Sequence, residues 1–208
     1  MNIEIDGRRF NLIIKYKKVK YTNLKIRQND LIITSFKYIS EEEALNFINK
    51  NINAIKKLIK KVPENPIKDD EFLLFGKVYK LNISDCPLSI NDTVINVAKI
   101  DEIYNYAFKK VFEQFNQIQK LYFYDTPSKL IFKKMKTRWG VCYLKKATIA
   151  LTIPIIHLPT DVIEYVIIHE FCHFKYPNHS KDFYNYVAKY CPNYKIIIKK
   201  LKSFAYVI

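Results

Sequence analysis

Three of the four histidines in this 208-residue chain lie in "IIHEFCHFKYPNHSKDF", residues 167–183. His169, Glu170 and His173 spell H-E-x-x-H. On a helix, imidazoles four residues apart share one face and can reach a single metal ion at about 2.0–2.1 Å. Glu170 follows the first of them, so its carboxylate falls beside such an ion rather than on it, within reach of a proton on a bound water. The pattern needs a third ligand. His179 supplies one six residues after His173, because Pro177 in "KYPN" ends the helix and lets the chain turn back. Three neutral imidazoles and a water form an open, catalytic zinc site, so one zinc ion per chain is expected. Should His179 not be the third ligand, the carboxylates of Glu164 and Asp182 are next in line. His157, alone in "IIHLP", reads as a hydrogen-bonded structural histidine or a support to the ligands. Cys172 reads as core.

These residues need elements to position them. Asp161 with Glu164 three residues on is a plausible cap, and the helix it starts, from about Val162 to Lys175, would bury Tyr165, Val166 and Phe171 behind the histidines. Ser180 caps a helix through Tyr190, and Pro192 starts a last basic one, "NYKIIIKKLKSF". Upstream, residues 101–124 carry apolar positions at three- and four-residue steps without Gly or Pro, which predicts a long helix. "KLIFKKM" and "ATIALTI" read as strands flanking "KTRWGVCYLKK". Residues 2–36 alternate short strand-like runs with turns, the first at Asp6-Gly7, and predict an antiparallel β-lobe. Ser40 and the three glutamates after it form a capping box for one amphipathic helix reaching about Lys61. Pro63 and Pro66 in "VPENPIKDD" end that helix and make the best internal linker. A hairpin, "FLLFGKVYKL", turns near Gly76, and "TVINV" follows as a short strand.

Composition narrows the function classes. Lys+Arg number 35 against 20 Asp+Glu, a formal +15. That charge fits an anionic partner, nucleotide or nucleic acid, held without sequence preference. It fits equally a solubility bias in which Lys, Ile, Asn and Tyr are inflated together. The aromatics lie mostly in apolar periodic patterns and read as core rather than as base-stacking platforms. Four cysteines without a C-x-x-C pair support neither a cysteine zinc knuckle nor a redox motif. Three scattered glycines exclude glycine-rich phosphate cradles. The N-terminus lacks an apolar signal region, and "TIALTIPIIHLP" is too short and too broken to span a bilayer. No membrane association and a cytoplasmic location are expected.

The H-E-x-x-H-x5-H spacing also matches metzincin proteases, but their glycine is Tyr176 here and no Met-turn follows. The surrounding words are closer to another family. "TRWGVC", then "TIALT", "EYVIIHEFCHFKYPNHSKDFY" and "CPNYK" resemble the YgjP-like metallopeptidases, relatives of the SprT-like zincins. The resemblance is specific over about 130–195 and can be followed upstream, where "LFGKVYKL" resembles the family's strand pair. It implies a zinc hydrolase with His169, His173 and His179 as ligands and Glu170 as general base. With the element pattern above it gives the expected α+β fold: a β-rich N-terminal lobe, residues 1–100 with one helix at about 41–61, followed by a zincin-like catalytic lobe, residues 101–208, whose HExxH helix packs on a small sheet. Peptide bonds are the first substrate expected, aligned along "TIALTI" as a sheet edge. Nucleoside triphosphate hydrolysis is a second reading. A zinc-stabilised nucleic-acid-binding domain without chemistry is a third, and Glu170 argues against it. Arg138, Trp139 and Gly140 are candidate substrate contacts, although Trp139 could be a core anchor and Arg138 an ion-pair partner. The family's word is usually Arg-Trp-Gly-Ser-Cys, and Val141 stands where its Ser would be.

Overall fold

The computed structural model describes residues 1–27, 29–59, 67–68 and 70–204. Among them, residues 1–59 fall in one compact unit and residues 67–204 in another. The expected linker "VPENPIKDD" lies mostly outside the described residues. No helix among the described residues is long and apolar enough to cross a membrane.

The first unit is a four-stranded sheet with two helices on one face. Strands β1 (Asn2–Ile5) and β2 (Arg8–Tyr16) are joined through Asp6 and Gly7, whose φ angles of 52° and 74° are those of a two-residue hairpin turn. β3 (Asn23–Arg27) and β4 (Asp30–Ser35) complete the order β1-β2-β4-β3. The expected all-antiparallel lobe is therefore mixed: β4 lies between β3 and β2 and runs parallel to β2, with Leu12 beside Leu31 and Ile14 beside Ile33. Phe10, Leu12, Leu31 and Ile33 bury one face against Ala44, Ile48, Ile55 and Ile59. The helix residues come from α1 (Glu41–Lys50) and α2 (Ile52–Ile59). Ser40 caps α1 reciprocally: its hydroxyl accepts from the Glu43 N–H at 3.2 Å, and its own N–H donates to Glu43 Oε2 at 2.7 Å. The single predicted helix is broken at Asn51, whose side-chain amide donates to the Phe47 carbonyl at 2.8 Å and competes with the helical ladder.

In the second unit, β5 (Glu71–Leu74) and β6 (Lys77–Ile83) form a hairpin through Phe75 and Gly76, with φ of 50° and 79°. A Cβ on Gly76 would stand 2.5 Å from Pro159 Cγ, so a side chain there is excluded by space as well as by φ. β7 (Ser89–Ile90) and β8 (Val94–Val97) give the order β5-β6-β8-β7. Phe72, Leu74, Ile95 and Val97 from this sheet share one core with Ile103, Ala107, Val111 and Phe115 of α3 (Ile100–Tyr122). That common core groups these strands with the second unit, whereas the sequence reading divided the chain after residue 100.

The elements that carry and surround the histidines follow. β9 (Lys129–Lys133), β10 (Gly140–Tyr143) and β11 (Thr148–Thr152) form a three-stranded sheet in the order β10-β11-β9. β11 is thus central, antiparallel to β10 and parallel to β9. The sequence expectation that "TIALTI" is a sheet edge is corrected: both of its sides are paired. The edges are β9 and β10, the latter cut from the "TRWGVC" word that the sequence reading left between strands. Next come α4 (Thr160–Cys172), α5 (Lys181–Tyr190) and α6 (Tyr194–Ser203). α4 is apolar on nearly every side and packs against α3, α5, α6 and β10, as a core helix must. Its start is Thr160 rather than Val162, after Pro159. Asp161 is not the cap; its two carboxylate oxygens each accept from Lys200 Nζ of α6 at 2.8 Å.

Candidate metal centre

α4 ends at Cys172, so His169 lies in its last turn and His173 is the C-cap residue. Behind them, Phe171 is stacked between Phe115 and Phe123 of the core, with ring centroids at 5.1 and 4.6 Å, which fixes the rotation of the helix about its axis. Cys172 is fully buried. The chain then turns through "KYPN". His179 is placed by the start of α5, where Ser180 accepts from the Phe183 N–H at 3.2 Å.

The three histidines converge. One ring nitrogen from each lies within 4.8 Å of the others, and His169 Nε2 and His179 Nε2 are 2.9 Å apart. His173 Nδ1–H donates to the Tyr176 carbonyl at 3.1 Å, which leaves the Nε2 lone pair for the centre. His169 Nδ1 is 3.3 Å from the Tyr165 hydroxyl, so it too has its outer nitrogen occupied. Partners of this kind orient metal-binding imidazoles. Burial, helped by the neighbouring His173 and His179, lowers the His169 pKa to about 3, and burial lowers that of His173 as well. Imidazole nitrogens converging on one point are a donor set zinc accepts, and His169, His173 and His179 fit it.

Phe183, which the sequence reading did not single out, is the floor of the centre. Its ring centroid lies 4.9 Å from His169, 4.6 Å from His173 and 4.9 Å from His179. Its signal was its place in α5, three residues after the capping Ser180 and on the buried face with Val187.

Glu170 is 6% exposed, an uncommon place for a carboxylate. Burial pushes its pKa up to about 8, against which a hydrogen bond from the Cys142 backbone N–H and the charge of Arg138 pull it down. A cation held by the histidines would lower it further. Its other close neighbour is Gly140: a Cβ there would lie 2.6 Å from Glu170 Oε1 and 2.8 Å from Cδ. Gly140 therefore makes room for Glu170, where the sequence reading had it as a substrate contact. Gly140→Ala should keep its metal and lose activity by about 100-fold, the scale of a displacement near 1 Å in a reacting group. Metal content and hydrolysis rate measured on the same preparation check it, and an unchanged rate would show the close approach to be dispensable.

His169, His173, His179, Glu170 and Gly140 border one cavity of about 590 Å³. Arg138, Trp139, Val141, Tyr165, Pro177 and Leu201 line it with the histidines and Glu170. Trp139 also packs against the core, and its carbonyl accepts from the Thr152 N–H at 2.9 Å, so it serves the sheet while facing the cavity. Arg138 is exposed and makes no ion pair among the described residues. Val141 gives the wall a methyl surface where the family's usual Ser would give a hydroxyl. His157 stands apart: its Nδ1–H donates to the Leu73 carbonyl and its ring sits against Phe72 and Tyr104, which makes it a brace between β5 and the turn before α4.

The YgjP-like metallopeptidase domain model matches residues 20–204. No curated protein matches the chain. Among solved structures, the metallopeptidase zymogen abylysin of Pyrococcus abyssi is 25% identical, over 44% of this chain and 90% of that one, with a TM-score of 0.40. The metallopeptidase zymogen jannalysin of Methanocaldococcus jannaschii is 23% identical, over 44% of this chain and 92% of that one, also with a TM-score of 0.40.

Proposed function

Because the chain belongs to the YgjP-like metallopeptidase family, we propose that it is a zinc peptidase in which His169, His173 and His179 hold one ion and Glu170 is the general base. The observation that carries this reading is the treatment of Glu170. A carboxylate this buried would ordinarily be replaced by something apolar. Here it has a backbone N–H from Cys142, a glycine cleared for it at position 140, and a place in the same cavity wall as the three imidazoles. A structural metal site has no need of that arrangement.

Zinc bound to such a triad acidifies water and polarises a carbonyl. The protein's own residues supply the rest. Tyr165 and the Tyr176 carbonyl hold the imidazoles in the orientation that leaves Nε2 free. Glu170 takes the proton of the attacking water on a carboxylate oxygen and returns it to the leaving amine nitrogen as the C–N bond breaks.

An extended peptide fits along β10, whose outer side carries no partner strand among the described residues. Its backbone would continue the β9-β11-β10 ladder beside Glu170. Arg138, which lines the cavity and makes no ion pair among the described residues, would receive a substrate carboxylate, either an acidic side chain or a chain terminus.

The purified protein should carry one zinc per chain by elemental analysis and should cleave members of a mixed peptide library, with the cut sites read by mass spectrometry. Products that appear equally in metal-stripped protein would overturn the reading. So would hydrolysis confined to nucleoside triphosphates offered alongside.

A further inference from the structure

The first unit carries a second surface that the catalytic centre does not use. β2 and β4 are parallel and end together, with Lys15 beside Thr34 and Tyr16 beside Ser35. β3 pairs with β4 from the other side, with Asn23 beside Thr34. Residues 17–22, which connect β2 to β3, therefore cross the same end of the sheet from which residues 36–39 leave β4. The Lys17 N–H donates to the Ser35 carbonyl at 3.0 Å, and the Thr22 hydroxyl to Ser35 Oγ at 3.3 Å. The Tyr16 hydroxyl donates to the Ile39 carbonyl at 3.4 Å. The two segments are thus tied to each other by backbone and side chain.

What they present is unusual for a surface. Tyr16, Tyr21, Phe36 and Tyr38 are 50, 72, 60 and 81% exposed. Tyr16 and Tyr38 lie with ring planes 17° apart and centroids at 6.0 Å, and Lys20 sits over Tyr21 at 5.4 Å. Lys15, Lys17, Lys18, Lys20 and Lys37 are interleaved with them, all exposed, and none makes an ion pair among the described residues. The two segments hold no acidic residue; the nearest in sequence are Glu41 to Glu43, at the start of α1, where Glu43 is engaged in the cap.

We infer that this end of the first unit's sheet is a binding surface for single-stranded nucleic acid. Exposed rings are stacking partners for any base, and interleaved ammonium groups follow a phosphate backbone, which together give affinity without sequence preference. A duplex keeps its base faces stacked inward, so it can use only the charges. An anionic membrane would also attract the lysines, but three of the four rings are tyrosines and the aliphatic side chains here, Val19 and Ile39, are half-buried. That surface has little to insert among acyl chains. The sequence reading assigned most aromatics to core, and these four lie at the surface instead.

The test is fluorescence anisotropy of the 208-residue chain with a labelled oligothymidylate, its duplex with oligoadenylate, and phosphatidylserine vesicles as the third arm. The single strand should bind, and more tightly than the duplex. Tyr21→Ala and Tyr38→Ala, both at well-exposed positions, should each raise Kd about tenfold. The combined Lys17→Gln, Lys18→Gln and Lys20→Gln variant should reduce the slope of log K against log salt by about 2. Circular dichroism melting shows that each variant is folded, and metal content should not move in any of them. Equal affinity for duplex and single strand, unchanged Kd in both tyrosine variants, or capture by vesicles with no binding to the oligonucleotide would each overturn the assignment.

Discussion

Glu170→Gln is expected to keep its zinc and its melting temperature while losing peptide hydrolysis by about 10³–10⁴-fold, the upper end of what a general acid–base group contributes. The expectation of unchanged structure comes from the environment. Gln has the shape of Glu, so the approach to Gly140 is preserved, and its amide oxygen can still accept the Cys142 N–H. Removing a buried charge also removes a desolvation penalty, so no loss of stability is expected. The large kinetic effect follows because, in the mechanism proposed, one carboxylate acts in two proton transfers, taking a proton from water and giving it to the leaving amine. A variant that loses metal as well would show that Glu170 supports the centre structurally. A variant with wild-type turnover would remove the general-base mechanism and leave a metal-stabilised binding domain as the better account.

His179→Ala should lower zinc affinity by more than the roughly 10–100-fold that follows loss of an outer hydrogen-bond partner, and activity should fall with it. Its imidazole nitrogen is 2.9 Å from that of His169, and no other His, Cys, Asp or Glu joins the cluster among the described residues. Ser180 and Phe183, which hold the start of α5, are untouched by the change, so the metal-free variant should melt like the metal-free parent. Competition with a zinc chelator measures the first effect, and calorimetry of stripped protein the second. Stoichiometric zinc surviving dialysis against the chelator would mean that the third ligand lies elsewhere. The comparison variants are then Glu164→Ala and Asp182→Ala. Destabilisation of the stripped protein alone would mean that His179 serves the turn rather than the ion.

What the sequence by itself determined is what depends on neighbours along the chain. The i,i+4 spacing put His169 and His173 on one helical face, Pro177 ended that stretch, and Ser180 started the next helix. Ser40 with Glu43, the Asp6-Gly7 turn and the unbroken apolar steps of α3 were legible for the same reason: each is set by hydrogen bonds or periodicity within a few residues. What only the tertiary structure decided is which distant segments meet. The hydrophobic pattern of "TIALTI" marks it as a strand but carries no trace of having a partner on each side, and the edges are instead β9 and β10, the latter a four-residue strand whose word in the sequence read as a connection. The parallel pairing of β2 with β4 and the sharing of β5–β8 with the α3 core are likewise choices of partner, made by the apolar surface that each pairing removes from water. Gly140 read from the sequence as a substrate contact, and only the fold shows that Glu170, thirty positions on, occupies the space where its side chain would stand. Phe183 looked like any buried aromatic until the three imidazoles were seen to pack around it. Burial is a property of the assembled surfaces, and it distinguishes the phenylalanine beneath a metal centre from the tyrosines left exposed at the end of a sheet.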